Sequence, residues 1–111
     1  MAEFTYAVLL VTTPTFDEAS LIAGVLLEQR KTACVNTIKG VSSHFWFGNK
    51  INATKESLLI VKTRVGLLDE VIRVIKEFHS YEVPEIIALP VIGGNDDYLE
   101  WIDREVEHKI I

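Results

Sequence analysis

The sequence predicts an α+β fold in which a four-stranded sheet carries two helices on one face, and three observations predict it. Short apolar, β-branched runs alternate with amphipathic helical stretches in the order β-α-β-β-α-β, followed by one further helix. The span Ala33 to Thr63 reads as two strands of about fifteen and thirteen residues, interrupted only at Gly48-Asn49-Lys50. At roughly 3.3 Å per residue each arm exceeds about 40 Å, whereas the flanking helices reach only about 20–24 Å. The helices therefore leave half of the hairpin uncovered. That half contains Phe45, Trp46 and Phe47. An exposed aromatic patch on a lone domain is a liability, so a further copy of the chain is expected to cover it.

Each element has its own signal. Tyr6 to Thr13 (YAVLLVTT) is a strand, ended by Pro14. Thr15-Phe16-Asp17-Glu18 is a capping-box sequence, with Thr15 as N-cap. The helix it opens runs to about Lys31 and buries Ala19, Ile22, Ala23 and Leu26, with Arg30 and Lys31 suiting the negative end of its dipole. The hairpin follows and finishes in Leu58-Leu59-Ile60-Val61, a run expected to be buried on both faces. A second helix from about Gly66 to Phe78 carries Leu68, Val71, Ile72, Ile75 and Phe78 on one stripe. Tyr81-Glu82-Val83-Pro84 turns the chain into a strand from Glu85 to Ile92. Gly93-Gly94-Asn95 breaks it, and Asp96 is expected to cap the third helix. This is the ferredoxin-like order, with an extra C-terminal helix and a long central β-hairpin. Residues 1–111 form one domain without repeats or linkers.

Composition removes several function classes. Eleven basic against sixteen acidic side chains give a net charge of −5 and no basic stripe, which speaks against nucleic acid as a partner. No apolar window is long enough to span a membrane, and the N-terminus lacks a basic, apolar leader. The single cysteine, Cys34, allows no intrachain disulfide and fits a reducing, cytoplasmic setting. There is no Gly-x-Ser-x-Gly elbow or phosphate-binding loop, and the turn Thr12-Thr13-Pro14-Thr15 has no Arg with which to hold an acyl phosphate. The chain is not expected to be an enzyme.

His79-Ser80-Tyr81-Glu82-Val83-Pro84-Glu85-Ile86 resembles a run typical of the CutA divalent-cation tolerance family, His-Pro-Tyr-Glu-Val-Pro-Glu-Ile. Ala33-Cys34-Val35-Asn36, Trp46-Phe47-Gly48 before Ile51, Glu56 with Leu59 and Lys62-Thr63, and Asp97-Tyr98-Leu99-Glu100-Trp101-Ile102 are similar to further family segments, in the same order. Three departures accompany the match. Ser80 replaces the family's Pro, His44 stands where Tyr is common, and the hairpin turn has one extra residue, which affects its pairing register. The resemblance implies a ferredoxin-like protomer, a tight homotrimer built on the long hairpins and a likeness to PII signalling proteins. It also implies copper or other divalent-cation binding in the response to metal ions.

Candidate metal ligands are Cys34, His79 and Glu82. Cys34 is the softest donor in the chain, though with no second Cys or His at ligand spacing it reads first as a small buried hydrophobe at a strand start. His79 sits at the end of the second helix, where imidazolium suits the dipole, and with Glu82 offers a donor pair suited to Cu(II) or Zn. Candidate residues for an intersubunit cleft are Trp46, Glu56, Lys62 and Tyr81. Glu56 and Lys62 share strand parity and hence a sheet face. They read as an intersubunit ion pair, or as the poles of a pocket walled by Trp46. Two functions follow: a trimeric metal-binding protein, or a PII-like module whose cleft takes a small anionic ligand and signals to an unknown protein partner. A scaffold without any ligand is a third.

Overall fold

The computed structural model describes residues 3–108. It contains β1 (Tyr6–Thr13), α1 (Phe16–Glu28), β2 (Cys34–Phe47), β3 (Lys50–Arg64), a 3-10 turn (Val65–Leu67), α2 (Leu68–Phe78), β4 (Ile86–Pro90) and α3 (Asp96–Glu105). The strands form one antiparallel sheet in the order β2-β3-β1-β4. This is the expected ferredoxin-like α+β architecture. Leu9 and Val11 of β1, Leu59 and Val61 of β3, Ile22 and Leu26 of α1, and Val71 and Ile75 of α2 are all buried in one cluster. Ile102 and Val106 close its end. At about 25 cal/mol per Å2 of apolar surface, side chains of this size each stabilise the fold by roughly 1.5–3 kcal/mol.

Alternate residues of the same strands meet no covering layer. Leu58 and Ile60 are only half-buried, contrary to the expectation of burial on both faces. Beside them lie the half-buried Val8 and Leu10 and the exposed Ile38, Ile87 and Leu89. One face of the sheet is therefore apolar and open.

The hairpin outreaches its neighbours, as its length requires. β1 runs beside β3 only from Arg64 to Ser57, so residues 50–56 and their β2 partners project beyond it. The turn is Gly48-Asn49, with φ of 60° and 61°. Two successive left-handed residues make the type I′ turn whose twist matches a two-residue hairpin. The Asn52 side-chain amide donates to the carbonyls of Phe47 and Lys50 and clips the turn. The register is thereby fixed at Phe47 opposite Lys50.

Pairing of β2 with β3 slips once. Ile38 faces Leu58 but Val41 faces Glu56, so Lys39 and Gly40 together oppose Ser57. Gly40 has φ 71°, a conformation that costs glycine little and other residues more. The extra residue reverses parity along β2. Cys34, Asn36 and Ile38 share a face with Val41, Ser43, Phe45 and Phe47, while His44 and Trp46 turn to the other.

Several element ends differ from expectation. α1 stops at Glu28 because Arg30 is left-handed, with φ 58°. Its N–H bonds to the Leu27 carbonyl and that of Lys31 to the Leu26 carbonyl, a Schellman closure. Lys31 is therefore not a helix-dipole residue. It turns inward, nearly buried, and its ammonium donates to the carboxylates of Glu70 and Glu107. Asn95, not Asp96, caps α3, its Oδ1 accepting from the Asp97 N–H. Asp96 is the first residue of the helix. β4 spans only Ile86–Pro90, shorter than the expected Glu85 to Ile92, although the Val91 N–H still donates to the Tyr6 carbonyl at 3.0 Å. α2 begins at Leu68, after the 3-10 turn that takes up Gly66.

The Glu107 and Glu70 hydrogen bonds hold the Lys31 pKa above its ordinary 10.5 despite burial. A raised folded pKa gives stability that is complete below pH 10.5 and is lost as pH climbs through the folded value. Lys31→Met, which leaves two carboxylates facing each other, is expected to cost about 2 kcal/mol. The check is a lower urea midpoint at unchanged slope.

Candidate functional site

The end of β1 and the end of α2 meet at His79, the residue that caps α2. Its ring is fully buried. Nε2 lies 2.7 Å from the Thr12 carbonyl, and Nδ1 accepts the Tyr81 N–H at 3.0 Å. The backbone N–H makes Nδ1 the acceptor, so the ring proton resides on Nε2 and is donated to Thr12. Glu18 Oε2 lies 3.4 Å from Nδ1 and accepts the Ser80 N–H at 3.0 Å. The capping box is consequently one-sided. Thr15 Oγ1 accepts the Glu18 N–H, while the Glu18 carboxylate serves the loop after α2.

His79 thus positions Tyr81, whose ring stands 5.0 Å from the imidazole, and Tyr81 in turn reaches Glu56. The phenol donates to Glu56 Oε2 at 2.9 Å. Glu56 is 8% exposed, deep for a carboxylate on a projecting strand. Burial, then the Glu56 hydrogen bond, pushes the Tyr81 pKa up to about 12.

Around this pair lies a cavity of about 1090 Å3 between the projecting half of the hairpin and the loop after α2. Phe45 and Phe47 form part of its wall, and Glu56, Glu82 and Glu85 give it three carboxylates. No Lys or Arg lines it.

The candidates named from sequence separate into three groups. Glu56, Tyr81 and Glu82 line the cavity. Trp46 does not. It faces Ile51 on the opposite side of the hairpin and is 73% exposed, because the Gly40 bulge reverses its parity. Lys62 lies six strand positions from Glu56, about 20 Å, so the two form no ion pair within a chain. Its ammonium is 3.8 Å from Cys34 Sγ and 5.8 Å from the centre of the Tyr98 ring.

The proposed metal donors are likewise dispersed. Cys34 is half-buried opposite Lys62, four strand positions or about 13 Å along β3 from the level of Thr12 and His79. Both nitrogens of His79 are already used. Among the described residues no group of three or more His, Cys, Asp or Glu converges to hold an ion. Cys34, His79 and Glu82 therefore make no metal site within one chain. The sequence reading named Phe45 and Phe47 only as an uncovered patch and did not assign them, Glu85 or Thr12 to the site. The two Phe were identifiable from Gly40 read as a bulge; Thr12 had no local signal.

A ferredoxin-like sheet, an overlong hairpin and a Glu–Tyr pair set under its tip together define a class of small α+β protein with an apolar face left open. The sequence profile described as CutA1 divalent ion tolerance protein matches residues 7–105. The chain belongs to this family. The Archaeoglobus fulgidus divalent-cation tolerance protein CutA is 44% identical over 97 residues, covering 87% of this chain and 94% of its relative. The chloroplastic protein CutA 1 of Oryza sativa is 43% identical over 102 residues. This chain spans only 58% of that rice relative's length and 56% of the Arabidopsis thaliana one. The crystal structure of Oryza sativa CutA1 superposes with a TM-score of 0.92 at 39% identity, covering 96% of this chain and 97% of that one. CutA1 from Shewanella sp. SIB1 gives 0.93 at 31% identity, covering 96% and 100%.

Two outcomes check this geometry. His79→Ala removes one donor and one acceptor from a buried loop anchor and is expected to cost about 2 kcal/mol in chemical denaturation. In an alkaline absorbance titration, Tyr81 should ionise near pH 12, and Tyr81→Phe should delete that phase. Because its folded pKa is raised, the stabilisation by Tyr81 is complete below pH 10 and disappears between pH 10 and about 12.

Proposed function

We propose that the chain works as a homotrimeric divalent-cation tolerance protein, with copper or another divalent metal held between copies. The observation that carries the assembly is the open apolar sheet face, continuous with a hairpin that its own helices do not cover. Ile38, Leu58, Ile60, Ile87 and Leu89 are more than scattered surface residues; together they make a face that water disfavours. The metal reading draws on the family and on the names of its relatives. The described residues of one chain bring together too few donors, and in this reading copies share the coordination. Cys34 is the donor best placed for that, since it lies on the open face. The neighbouring Lys62 ammonium repels a cation, and several cysteines are needed to outweigh it. A single cysteine supports a reducing, cytoplasmic setting. No helix of the described residues is long and apolar enough to cross a membrane.

Sedimentation equilibrium is expected to give three times the chain mass, and Ile60→Lys, which puts a charge on the shared face, a monomer. Equilibrium dialysis against copper should saturate at a fixed ratio per trimer and fall in Cys34→Ser. Wild-type sedimentation as a compact monomer would overturn the assembly, and unchanged binding in Cys34→Ser would remove the shared thiols.

A further inference from the structure

Glu56 and Lys62 do not meet within one chain, yet neither can stay unpaired at low cost once the open face is covered. We propose that Glu56 of one copy pairs with Lys62 of the next, so that a neighbour's ammonium closes the cavity beneath the hairpin. This rests on the trimer reading and names the polar contact that sets how the copies join.

Four observations converge. First, the apolar stretch of β3 on the open face, Leu58 and Ile60, is bounded by Glu56 at one end and Lys62 at the other. Alternate strand positions share a face, so the two charges stand on it about 20 Å apart.

Second, Glu56 is more than nine-tenths buried, yet only its Oε2 has a protein donor, the Tyr81 hydroxyl. Oε1 accepts nothing from the described residues and is not sealed off. His44, the basic side chain of the cavity lining, is turned by the Gly40 bulge to the face opposite Glu56.

Third, Lys62 is half-buried with no carboxylate in reach among the described residues. Its ammonium lies 3.8 Å from Cys34 Sγ and 5.8 Å from the centre of the Tyr98 ring. Arg64, two positions further along the strand, has Asp103 instead. Fourth, β1 accompanies β3 no further than Ser57, so Glu56 begins the projecting half of the hairpin. It stands where the strand leaves its own protomer for a neighbour.

Laying a second apolar face over this one withdraws water from both charges, and a buried charge left single is far costlier than one that is paired. Each copy supplies one carboxylate and one ammonium, so a ring of three leaves none over. Contacts in such a ring are heterologous, one end of a surface against the other end of its copy. Opposite charges at opposite ends of one face suit that geometry. A copy set in another register would bury both charges alone, so the pair fixes register more than it adds affinity.

The test is sedimentation equilibrium of charge reversals, with circular dichroism verifying that each variant is folded. Glu56→Lys and Lys62→Glu are each expected to weaken assembly at least roughly tenfold, and the two together to restore most of it. Lys50→Glu, on an exposed lysine beside the turn, should not rescue Glu56→Lys. Where a reversal does not fold, the neutral cycle of Glu56→Gln, Lys62→Gln and their double reads the same coupling. The neutral double is then expected to lose less than the two single losses multiplied. Either reversal assembling as the wild type does, a double reversal no better than the singles, or multiplied losses in the neutral cycle overturns the proposal. So does rescue by Lys50→Glu in place of Lys62→Glu. A monomeric wild type overturns the trimer reading and this inference together, whereas a wild-type trimer without the rescue refutes this inference alone.

Discussion

One extra residue in β2 governs what the molecule presents to its surroundings. Sheet side chains alternate with period two, so a single inserted position exchanges the faces of everything beyond it. Lys39 and Gly40 oppose Ser57 alone, and from there on Phe45 and Phe47 lie with Glu56 while Trp46 turns away. Without that slip Trp46 would share the Glu56 face and the two Phe would turn to the other. Gly40 makes it inexpensive because its φ of 71° is one that a Cβ would strain.

The second constraint is polar satisfaction at the end of the core. β1 finishes at Thr13 and α2 at Phe78, leaving carbonyls and N–H groups that no ladder or helix takes up. His79 serves Thr12 and Tyr81 at once, and Glu18 serves Ser80. At the opposite end of α1, Lys31 fastens Glu70 of α2 and Glu107 beyond α3 to the reversal that follows the helix. Arg30 reaches Glu105, and Arg64 pairs with Asp103. The C-terminal segment is thus tied to the domain by charge, and Ile102 and Val106 are held over the core by those ties.

The fold was legible because its signals are local and mutually consistent. Thr15 caps α1, the α2 stripe has helical period, and Gly48-Asn49 is a hairpin turn. The site was legible only in part. Glu56 and Tyr81 stood out as a charge on an apolar strand and a tyrosine in a turn. Their pairing joins residues 25 apart through a loop that no periodicity describes. Trp46 was set beside Glu56 with no allowance for the slip at Gly40, which turns it to the other side of the hairpin within a chain. Lys31 was read as a helix-end cation because the left-handed turn at Arg30, a residue that seldom adopts it, has no sequence signal. His79 was read as a donor to a metal, whereas the unpaired backbone around it takes both its nitrogens.

β2 is also an edge strand, and in a single chain alternate residues along its fourteen turn hydrogen-bonding groups to a rim with no strand beside it among the described residues. Such a rim invites any extended peptide to add on and seed a fibre. The kink midway along it interrupts that templating. A straight intruder in step with the first half of the strand is out of step with the second, so only a partner shaped to the same bend can zip along the whole length.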